Sequence, residues 1–260
     1  MHHLKALLVV SFGTSVNETR EKTIDRIEAD IKKAFPEYVL YRAWTSGRII
    51  RKLQERDGVR IDTVTEAMER MLADGVTEVV VQPTHVIDGI ENDRMKEDVL
   101  AFEGRFASIR FGEPLLASEE DSDAVIRAVM EEYKDLASSD ALVLMGHGTE
   151  HHVNAVYTAL DSRFKELGYA NVFLGTVEAS PSLNTLLVQV RTYKARHVKL
   201  APFMVVAGDH ALNDMSGEDS DSWKNRFEAE GFEVSCVLKG LGEYKNIRRL
   251  YIKHIRDALS

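Results

Sequence analysis

Three polar side chains of the second half of the chain stand where predicted strands end. His147 follows the apolar run ALVLM and lies between two glycines, Glu178 closes the run NVFLGTV, and His210 follows VKLAPFMVVAGD. Two imidazoles and one carboxylate form a ligand set suited to borderline divalent ions such as cobalt, iron, nickel or zinc. The sequence therefore predicts a metal site wherever the fold brings these three side chains together.

Taken singly, each of these residues also has an ordinary structural explanation. A lone histidine at a strand end is more often a hydrogen-bonded structural residue, and an isolated glutamate is more often an exposed loop charge. Their positions favour a shared metal site, because each residue lies one strand-helix unit, about 30 residues, from the next. In open α/β sheets, ligands bind beyond the carboxyl ends of the strands, where the loops converge. Both the structural and the metal-binding interpretations stay open on this evidence.

The elements that must position these residues follow from apolar runs that alternate with segments of helical period. Short apolar runs without strict alternation are typical of parallel strands covered on both faces. Eight strands are predicted, at 4–11, 38–44, 78–82, 108–112, 141–146, 171–177, 197–203 and 232–238. Strand alternating with helix in this way predicts an α/β fold of two open, doubly wound parallel-sheet halves of Rossmann-like type.

Between the strands, apolar residues at helical spacing predict helices that face the core. Four such stripes are Ile24/Ile27/Ile31/Phe35, Ile61/Val64/Met68/Leu72, Val153/Val156/Tyr157/Leu160/Phe164 and Ile247/Leu250/Tyr251/Ile255. The segment Ser15-Val16-Asn17-Glu18 predicts a capping box at the start of the first helix. These stripes describe packing and not function.

The two halves resemble each other in sequence. LLVVSFGTS at 7–15 matches LVLMGHGTE at 142–150, and QPTHVIDGIE at 82–91 matches APFMVVAGDH at 201–210. The matches occur in the same order, which indicates an internal duplication. A polar patch at 137–140 is a plausible seam, so we expect an N-terminal domain over 1–138 and a C-terminal domain with the metal ligands over 139–260.

Composition excludes several other functions. A net charge of −9 over 260 residues argues against a non-specific nucleic-acid binder. The single cysteine, Cys236, excludes an internal disulfide, no run approaches the length of a membrane span, and the N-terminus lacks a signal-peptide pattern, so we expect a cytoplasmic protein without a membrane partner. The glycine-rich stretches lack the dinucleotide and phosphate-loop fingerprints, and no serine lies in a nucleophile elbow.

The chain resembles the anaerobic sirohydrochlorin cobaltochelatases of cobalamin biosynthesis, within the class II chelatase group that includes ferrochelatases. The segments that carry this resemblance are KALLVVSFGTS, RAWTSGRIIRKLQERDG, MGHG, VEAS and FMVVAGDHALNDM, the last followed by GEDSDSWKNRF and GLGEY. The resemblance runs along nearly the whole chain. The last group is long and unusual in composition, which makes it the most specific part.

The resemblance implies a class II chelatase fold with a tetrapyrrole cleft between two α/β halves. It also implies that His147, Glu178 and His210 are the metal ligands, the same three residues that the strand ends indicated. The implied reaction inserts Co²⁺ into sirohydrochlorin and releases two protons. No permanently bound cofactor is expected, because Co²⁺ is a substrate, with Fe²⁺ as an alternative. We further expect His147 to accept a pyrrole proton, since a neutral imidazole both binds metal and takes a proton near neutral pH.

Substrate contacts are expected in the first half. Phe12, Gly13, Thr14 and Ser15 occupy the counterpart of the His147 loop, and Glu91 is the counterpart of His210. Sirohydrochlorin is rich in carboxylates and the chain is acidic, so a local basic cluster is expected to bind the substrate. The best cluster is Arg42, Arg48, Arg51 and Lys52, although an ordinary solvated helix face explains each of these residues equally well.

The sequence gives less support for a functional role of the remaining histidines. His85 ends a first-half strand, where packing is favoured over function, and His151 and His152 either line the same site or begin a helix. No function is predicted for His197 or His254, and His2 and His3 are expected at an exposed terminus. A sirohaem-forming ferrochelatase and a non-catalytic metal or tetrapyrrole carrier stay open as alternatives, as does assembly into a homo-oligomer.

Overall fold

The computed structural model describes residues 4–260, so the expectation for His2 and His3 lies outside the described part of the chain. All eight predicted strands are present, and their ends differ from the predicted ones by at most two residues. The strands are β1 (Leu4–Ser11), β2 (Val39–Trp44), β3 (Val76–Pro83), β4 (Ser108–Phe111), β5 (Asp140–Gly146), β6 (Val172–Thr176), β7 (His197–Pro202) and β8 (Glu233–Cys236).

Ten α-helices occur within residues 4–260. They are α1 (Asn17–Lys22), α2 (Ile24–Ala34), α3 (Gly47–Asp57), α4 (Val64–Ala73), α5 (Ile90–Leu100), α6 (Glu119–Glu132), α7 (Ala155–Glu166), α8 (Leu183–Tyr193), α9 (Trp223–Ala229) and α10 (Lys245–Leu259). Two 3₁₀ turns cover His152–Asn154 and Leu241–Glu243, and a π-helical turn covers Ala211–Met215. None of the helices in the described range is long and apolar enough to cross a membrane.

The strands form two four-stranded parallel sheets with the same order. One sheet runs β2-β1-β3-β4 and the other β6-β5-β7-β8. The central strands are buried on both faces, since every residue from Ala6 to Val10 and from Ala141 to Met145 is at most 1% exposed. This burial explains their unbroken apolar sequences. The prediction of two doubly wound parallel-sheet halves is confirmed, and the repeated strand order is what an internal duplication would produce.

The chain divides into two compact units that are not continuous in sequence. Unit 1 contains residues up to Asp121 together with Lys245–Ser260, and unit 2 contains Ser122–Tyr244. This division differs from the expected boundary between 138 and 139 in two ways, since most of α6 belongs to unit 2 and α10 belongs to unit 1. The three candidate metal ligands are residues of unit 2.

Buried polar contacts hold α10 in unit 1. The hydroxyl of Tyr251 donates to the carbonyl of Thr84 at 2.8 Å, and Nε2 of His254 lies 2.9 Å from a carboxylate oxygen of Asp121. Unpaired buried polar groups are costly, so such contacts fix the partner of a helix. The buried face of α10 includes His254, while Leu250 of the predicted stripe is only half-buried.

The predicted capping box at Ser15 is wrong. Helix α1 begins at Asn17 with Val16 in the N-cap position, and no side chain caps it. The hydroxyl of Thr14 instead accepts a hydrogen bond from the amide of Val16 at 3.2 Å. The local turn that follows β1 thus uses Thr14, which shifts the helix start beyond Ser15.

Candidate metal centre

Neighbouring strands of the second sheet bring the three predicted ligands to one edge. His147 directly follows β5, Glu178 follows β6, and His210 lies in the segment after β7; β6 and β7 flank β5. The pairing continues past the strand ends, since the amide of Glu178 donates to the carbonyl of His147 at 3.0 Å. The carboxyl ends of parallel strands meet at the same edge, which is where α/β sheets bind ligands.

The glycines on either side of His147 are required by close packing. A Cβ on Gly146 would lie 2.6 Å from Cε1 of Tyr157. Gly148 has a φ of +85°, which favours glycine, and a Cβ there would lie 2.8 Å from Cβ of Thr176. Burial raises the pKa of Tyr157 to about 12, and a hydrogen bond between its hydroxyl and the backbone of Gly148 partly offsets this rise. The tight loop fixes the backbone from which the His147 side chain projects.

The ligand atoms of His147, Glu178 and His210 all lie within 4.8 Å of one another. Nδ1 of His147 is 3.9 Å from Oε2 of Glu178. The two imidazole rings meet nearly at right angles, with centroids 4.8 Å apart. Bonds from a metal to nitrogen or oxygen are about 2.0–2.2 Å long, so one ion fits among these groups after small side-chain rotations.

In each imidazole of the cluster, Nδ1 has a hydrogen-bond acceptor beside it, so Nε2 is the nitrogen available to a metal. Nδ1 of His147 lies 2.8 Å from the carbonyl oxygen of Gly148, and Nδ1 of His210 lies 2.6 Å from Oδ2 of Asp214. Because a carbonyl and a carboxylate only accept, Nδ1 is the donor in both contacts, and the neutral form of each ring then has its lone pair at Nε2. Metal-binding histidines commonly have such a partner on the second nitrogen.

The candidate ligands are accessible from solvent. The exposed fraction is 47% for the His147 side chain, 55% for Glu178 and 33% for His210. Three protein ligands with an open side leave coordination positions for an incoming group, as catalytic metal sites require.

Asp214 is a residue of this site that the sequence reasoning missed. Its carboxylate accepts from Nδ1 of His210, four residues earlier, within the segment that contains the π-helical turn. The spacing of four residues in the segment HALND was the available signal, because side chains at i and i+4 face each other on a helix.

The first-half residues predicted to contact substrate lie in unit 1. Phe12 is 48% exposed just after β1, Thr14 is buried and Ser15 is half-buried. Gly13 has a φ of +101°, and a Cβ there would lie 2.5 Å from the Trp44 ring, so this position requires glycine. This loop therefore presents Phe12 to solvent, and its role in substrate binding stays a prediction.

Glu91 lies in the first turn of α5, where it forms an ion pair with Arg94 at 3.2 Å. It is not part of the cluster of potential metal ligands found among residues 4–260. Its predicted contact with substrate stays a prediction.

The predicted basic cluster is only partly available to a ligand. Arg42 is committed to ion pairs with Glu28 and Asp25, at 2.6 Å in the case of Glu28, so including it was wrong. Both partners belong to α2, and the sequence alone did not indicate that Arg42 pairs with this helix. Arg48, Arg51 and Lys52 are exposed on α3, as the prediction requires.

His151 and Cys236 have local explanations. Nδ1 of His151 accepts from the amide of Val153 and so caps the 3₁₀ turn, which agrees with the helix-start interpretation. Cys236 ends β8 half-buried, and burial raises the pKa of its thiol, which disfavours the reactive thiolate.

His85 is buried after β3, as the packing interpretation expected. Its Nδ1 lies 3.3 Å from Oδ1 of Asn92. Burial lowers the pKa of His85 below its ordinary value of 6.5, partly offset by the hydrogen bond with Asn92. The folded protein therefore holds this imidazole neutral.

The depressed pKa of His85 predicts that its contribution to stability is lost in acid. Below pH 6.5 the unfolded chain binds a proton that the folded chain excludes, so the free energy of unfolding falls as pH decreases toward the folded-state pKa. The variant His85→Gln, which cannot titrate, should lose less stability over this interval than the wild type. Urea unfolding at several pH values between about 7.5 and 5 gives the change in the free energy of unfolding with pH, which is the slope to compare between the two proteins. Equal slopes would refute the assignment.

Comparisons with known proteins show the family to which this chain belongs. Residues 5–260 match the family model described as cobalt chelatase (CbiK). The chain is 40% identical over 256 residues to a sirohydrochlorin cobaltochelatase of Salmonella typhimurium, covering 98% of this chain and 97% of the relative. It is 31% identical over 259 residues to the sirohydrochlorin cobaltochelatase CbiKC of Nitratidesulfovibrio vulgaris, covering 98% and 91%.

A solved structure shares the fold at low sequence identity. SirB from Bacillus subtilis with Fe³⁺ superimposes with a TM-score of 0.67 at 14% identity, covering 98% of this chain and 95% of SirB. The residues matched by the family model include both sheets and every candidate ligand. With His147, Glu178 and His210 gathered at one sheet edge and nearly its full length matched, the chain is a metal chelatase of the cobalt chelatase (CbiK) family.

Proposed function

We propose that this protein inserts Co²⁺ into sirohydrochlorin with release of two protons, in anaerobic cobalamin biosynthesis. The observation that carries the proposal is the cluster of two imidazoles and one carboxylate within 4.8 Å at the open edge of the second sheet. The names of the relatives from Salmonella typhimurium and Nitratidesulfovibrio vulgaris supply the metal and the tetrapyrrole. Cobalt is a substrate in this reaction, so the site must both bind the ion and release it.

The ligand set suits a transient metal site. His147 and His210 each offer an imidazole nitrogen to the ion, and the carboxylate of Glu178 offsets part of its charge. Three protein ligands leave room for ring nitrogens to enter before the protein bonds break. A fourth protein ligand would oppose release.

The reaction must also remove two protons from the ring nitrogens. His147 is the proposed acceptor of one, because the carbonyl of Gly148 favours a proton on its Nδ1 and so leaves Nε2 as the acceptor atom. An imidazole that leaves the ion as the ring takes it up regains a lone pair at Nε2 and can then accept a pyrrole proton. The second proton goes to another base or to solvent.

The substrate contacts are proposed for unit 1. Phe12 offers exposed apolar area for the ring, while Gly13, Thr14 and Ser15 supply a turn with backbone N–H groups. Glu91 is proposed as a polar contact that guides metal or protons.

Removing two exposed charges of α3 should weaken substrate binding. We expect the double variant Arg48→Ala/Arg51→Ala to raise the KM for sirohydrochlorin and leave kcat little changed, because Coulomb attraction to carboxylates acts on binding. The effect should fade with added salt, since the Debye length falls from about 10 Å at 0.1 M to about 3 Å at 1 M. Steady-state kinetics at both salt concentrations measure this. If the double variant had the wild-type KM at low salt, α3 would not contribute to substrate binding.

Turnover tests the proposal as a whole. Purified protein is mixed with a large excess of sirohydrochlorin and Co²⁺, and the change in ring absorption is followed over many equivalents. A chelatase continues well beyond one metallated ring per chain, whereas a carrier stops at one. Parallel reactions with Fe²⁺ compare the two metals, and faster insertion of Fe²⁺ than of Co²⁺ would contradict the assignment of cobalt.

A further inference from the structure

The two histidines of the metal centre have different partners behind them. Nδ1 of His147 lies 2.8 Å from a neutral oxygen, the carbonyl of Gly148, which is the next residue in the chain. Nδ1 of His210 lies 2.6 Å from a carboxylate oxygen of Asp214. A hydrogen bond to an ionised acceptor is about twice as strong as one between neutral groups. The two imidazoles are therefore not equivalent, although both belong to the same cluster of potential metal ligands.

We propose that Asp214 is a positioning residue that holds His210 as the retained metal ligand. The carboxylate fixes the ring orientation and keeps the proton on Nδ1, so that Nε2 faces the ion. Its negative charge also increases electron donation from the ring to the metal. His147, whose Nδ1 has a neutral carbonyl as its hydrogen-bond acceptor, is then the imidazole that leaves the ion first. This inference rests on the proposed function and adds a division of labour between the two histidines.

The backbone places Asp214 independently of its contact with His210. The segment after β7 turns into the π-helical turn Ala211–Met215, where the amide of Leu212 donates to the carbonyl of Gly208 at 3.0 Å. At the other end, the hydroxyl of Ser216 donates to the carbonyl of Ala211 at 2.8 Å. Single π-helical turns are uncommon and occur often at functional sites.

Close packing restricts this turn further. The amide of Gly217 donates to the carbonyl of Asn213 at 3.0 Å, and a Cβ on Gly217 would lie only 2.3 Å from that oxygen. The turn therefore keeps its shape through backbone contacts. Asp214 itself is 48% exposed at its side chain, so the core does not require a carboxylate there.

The same turn contains a matched control. Asp209 precedes His210 and accepts a hydrogen bond from Asn213 at 3.1 Å, again with a spacing of four residues. Replacing Asp209 removes one negative charge from the same exposed segment without removing the His210–Asp214 contact. The Asp209 variant thus measures how the loss of a nearby charge, or a change in the turn, alters Co²⁺ affinity without involving the His210–Asp214 contact.

Cobalt binding without tetrapyrrole tests the proposal. The Kd for Co²⁺ is measured by titration, with the visible absorption of bound Co²⁺ as a second readout, for wild type, Asp214→Ala, Asp214→Asn and Asp209→Ala. We expect Asp214→Ala to raise the Kd by about 10- to 100-fold and to change the absorption bands. Asp214→Asn, which keeps an acceptor but loses the charge, should lie between Asp214→Ala and the wild type. Asp209→Ala should match the wild type.

A double-mutant cycle separates positioning from a structural effect. In a His210→Ala background, Asp214→Ala should produce no further loss of Co²⁺ affinity, because its partner is absent. A Kd for Asp214→Ala equal to the wild-type value, an equal loss in Asp209→Ala, or a full additional loss in the His210→Ala background would each overturn the proposal. These measurements use no tetrapyrrole, so a failure of the proposed chelatase reaction would appear separately, as absence of turnover in a wild type that still binds Co²⁺.

Discussion

Replacing His147 by alanine is expected to lower the rate of cobalt insertion by about 10²- to 10⁴-fold, the range typical for loss of a positioned acid or base. The substitution removes a proposed metal ligand and the proposed proton acceptor together. The fold should survive, because the side chain is 47% exposed and the loop is shaped by Gly146, Gly148 and Tyr157. Initial rates of ring metallation, with circular dichroism as a check on folding, measure the effect.

A second histidine of the same segment gives the control. His152 is exposed within the 3₁₀ turn, five residues after His147, and lies outside the cluster of potential ligands. His152→Ala should therefore retain the wild-type rate. Near-normal turnover in His147→Ala would remove this residue from the mechanism.

Replacing Glu178 by glutamine is expected to weaken Co²⁺ binding by about 10- to 100-fold, the effect typical of substitutions at and around metal ligands. Glutamine keeps the size and one amide oxygen of the side chain but loses the charge that offsets the ion. Binding of sirohydrochlorin without metal should be unchanged, because the substitution alters the metal centre. Titration with Co²⁺ and, separately, with sirohydrochlorin measures the two affinities.

Glu150 is a suitable comparison for Glu178. It is an exposed glutamate after the His147 loop and is not one of the clustered ligand residues. Glu150→Gln removes the same charge and should leave both affinities unchanged. If Glu178→Gln bound Co²⁺ as tightly as the wild type, the carboxylate would not be a ligand.

The strands were predictable because their sequences record burial directly. A run such as ALVLM before His147 has no polar residue, and the structure buries it on both faces of a sheet. Once neighbouring strands are parallel, residues at their carboxyl ends converge, so the meeting of His147, Glu178 and His210 followed from topology.

Features that depend on distant partners were not predictable from the sequence. The helix α10 packs in unit 1 through contacts such as Tyr251 with Thr84, which are separated by 167 residues. Arg42 looked like part of a substrate-binding cluster, but its charge is taken up by Glu28 and Asp25. An apolar stripe shows that a helix has a buried face, and a basic residue shows that a charge needs a partner. Neither identifies the partner.

Local geometry limited the predictions in another way. The pattern Ser15-Val16-Asn17-Glu18 fits a capping box by residue type, yet the hydroxyl of Thr14 accepts from the amide of Val16 and the helix begins at Asn17. Asp214 was missed for a related reason, because an acidic residue four positions after His210 matters only if the intervening backbone is helical. The π-helical turn supplies that condition.

The central claim is that two imidazoles and one carboxylate of unit 2 share one cobalt ion. Anomalous diffraction at the cobalt absorption edge, from crystals of the protein loaded with Co²⁺, tests it most directly. We predict one dominant peak at about 2.0–2.2 Å from Nε2 of His147, Nε2 of His210 and a carboxylate oxygen of Glu178. A fully occupied cobalt ion bound elsewhere, with these three side chains unliganded, would contradict the account.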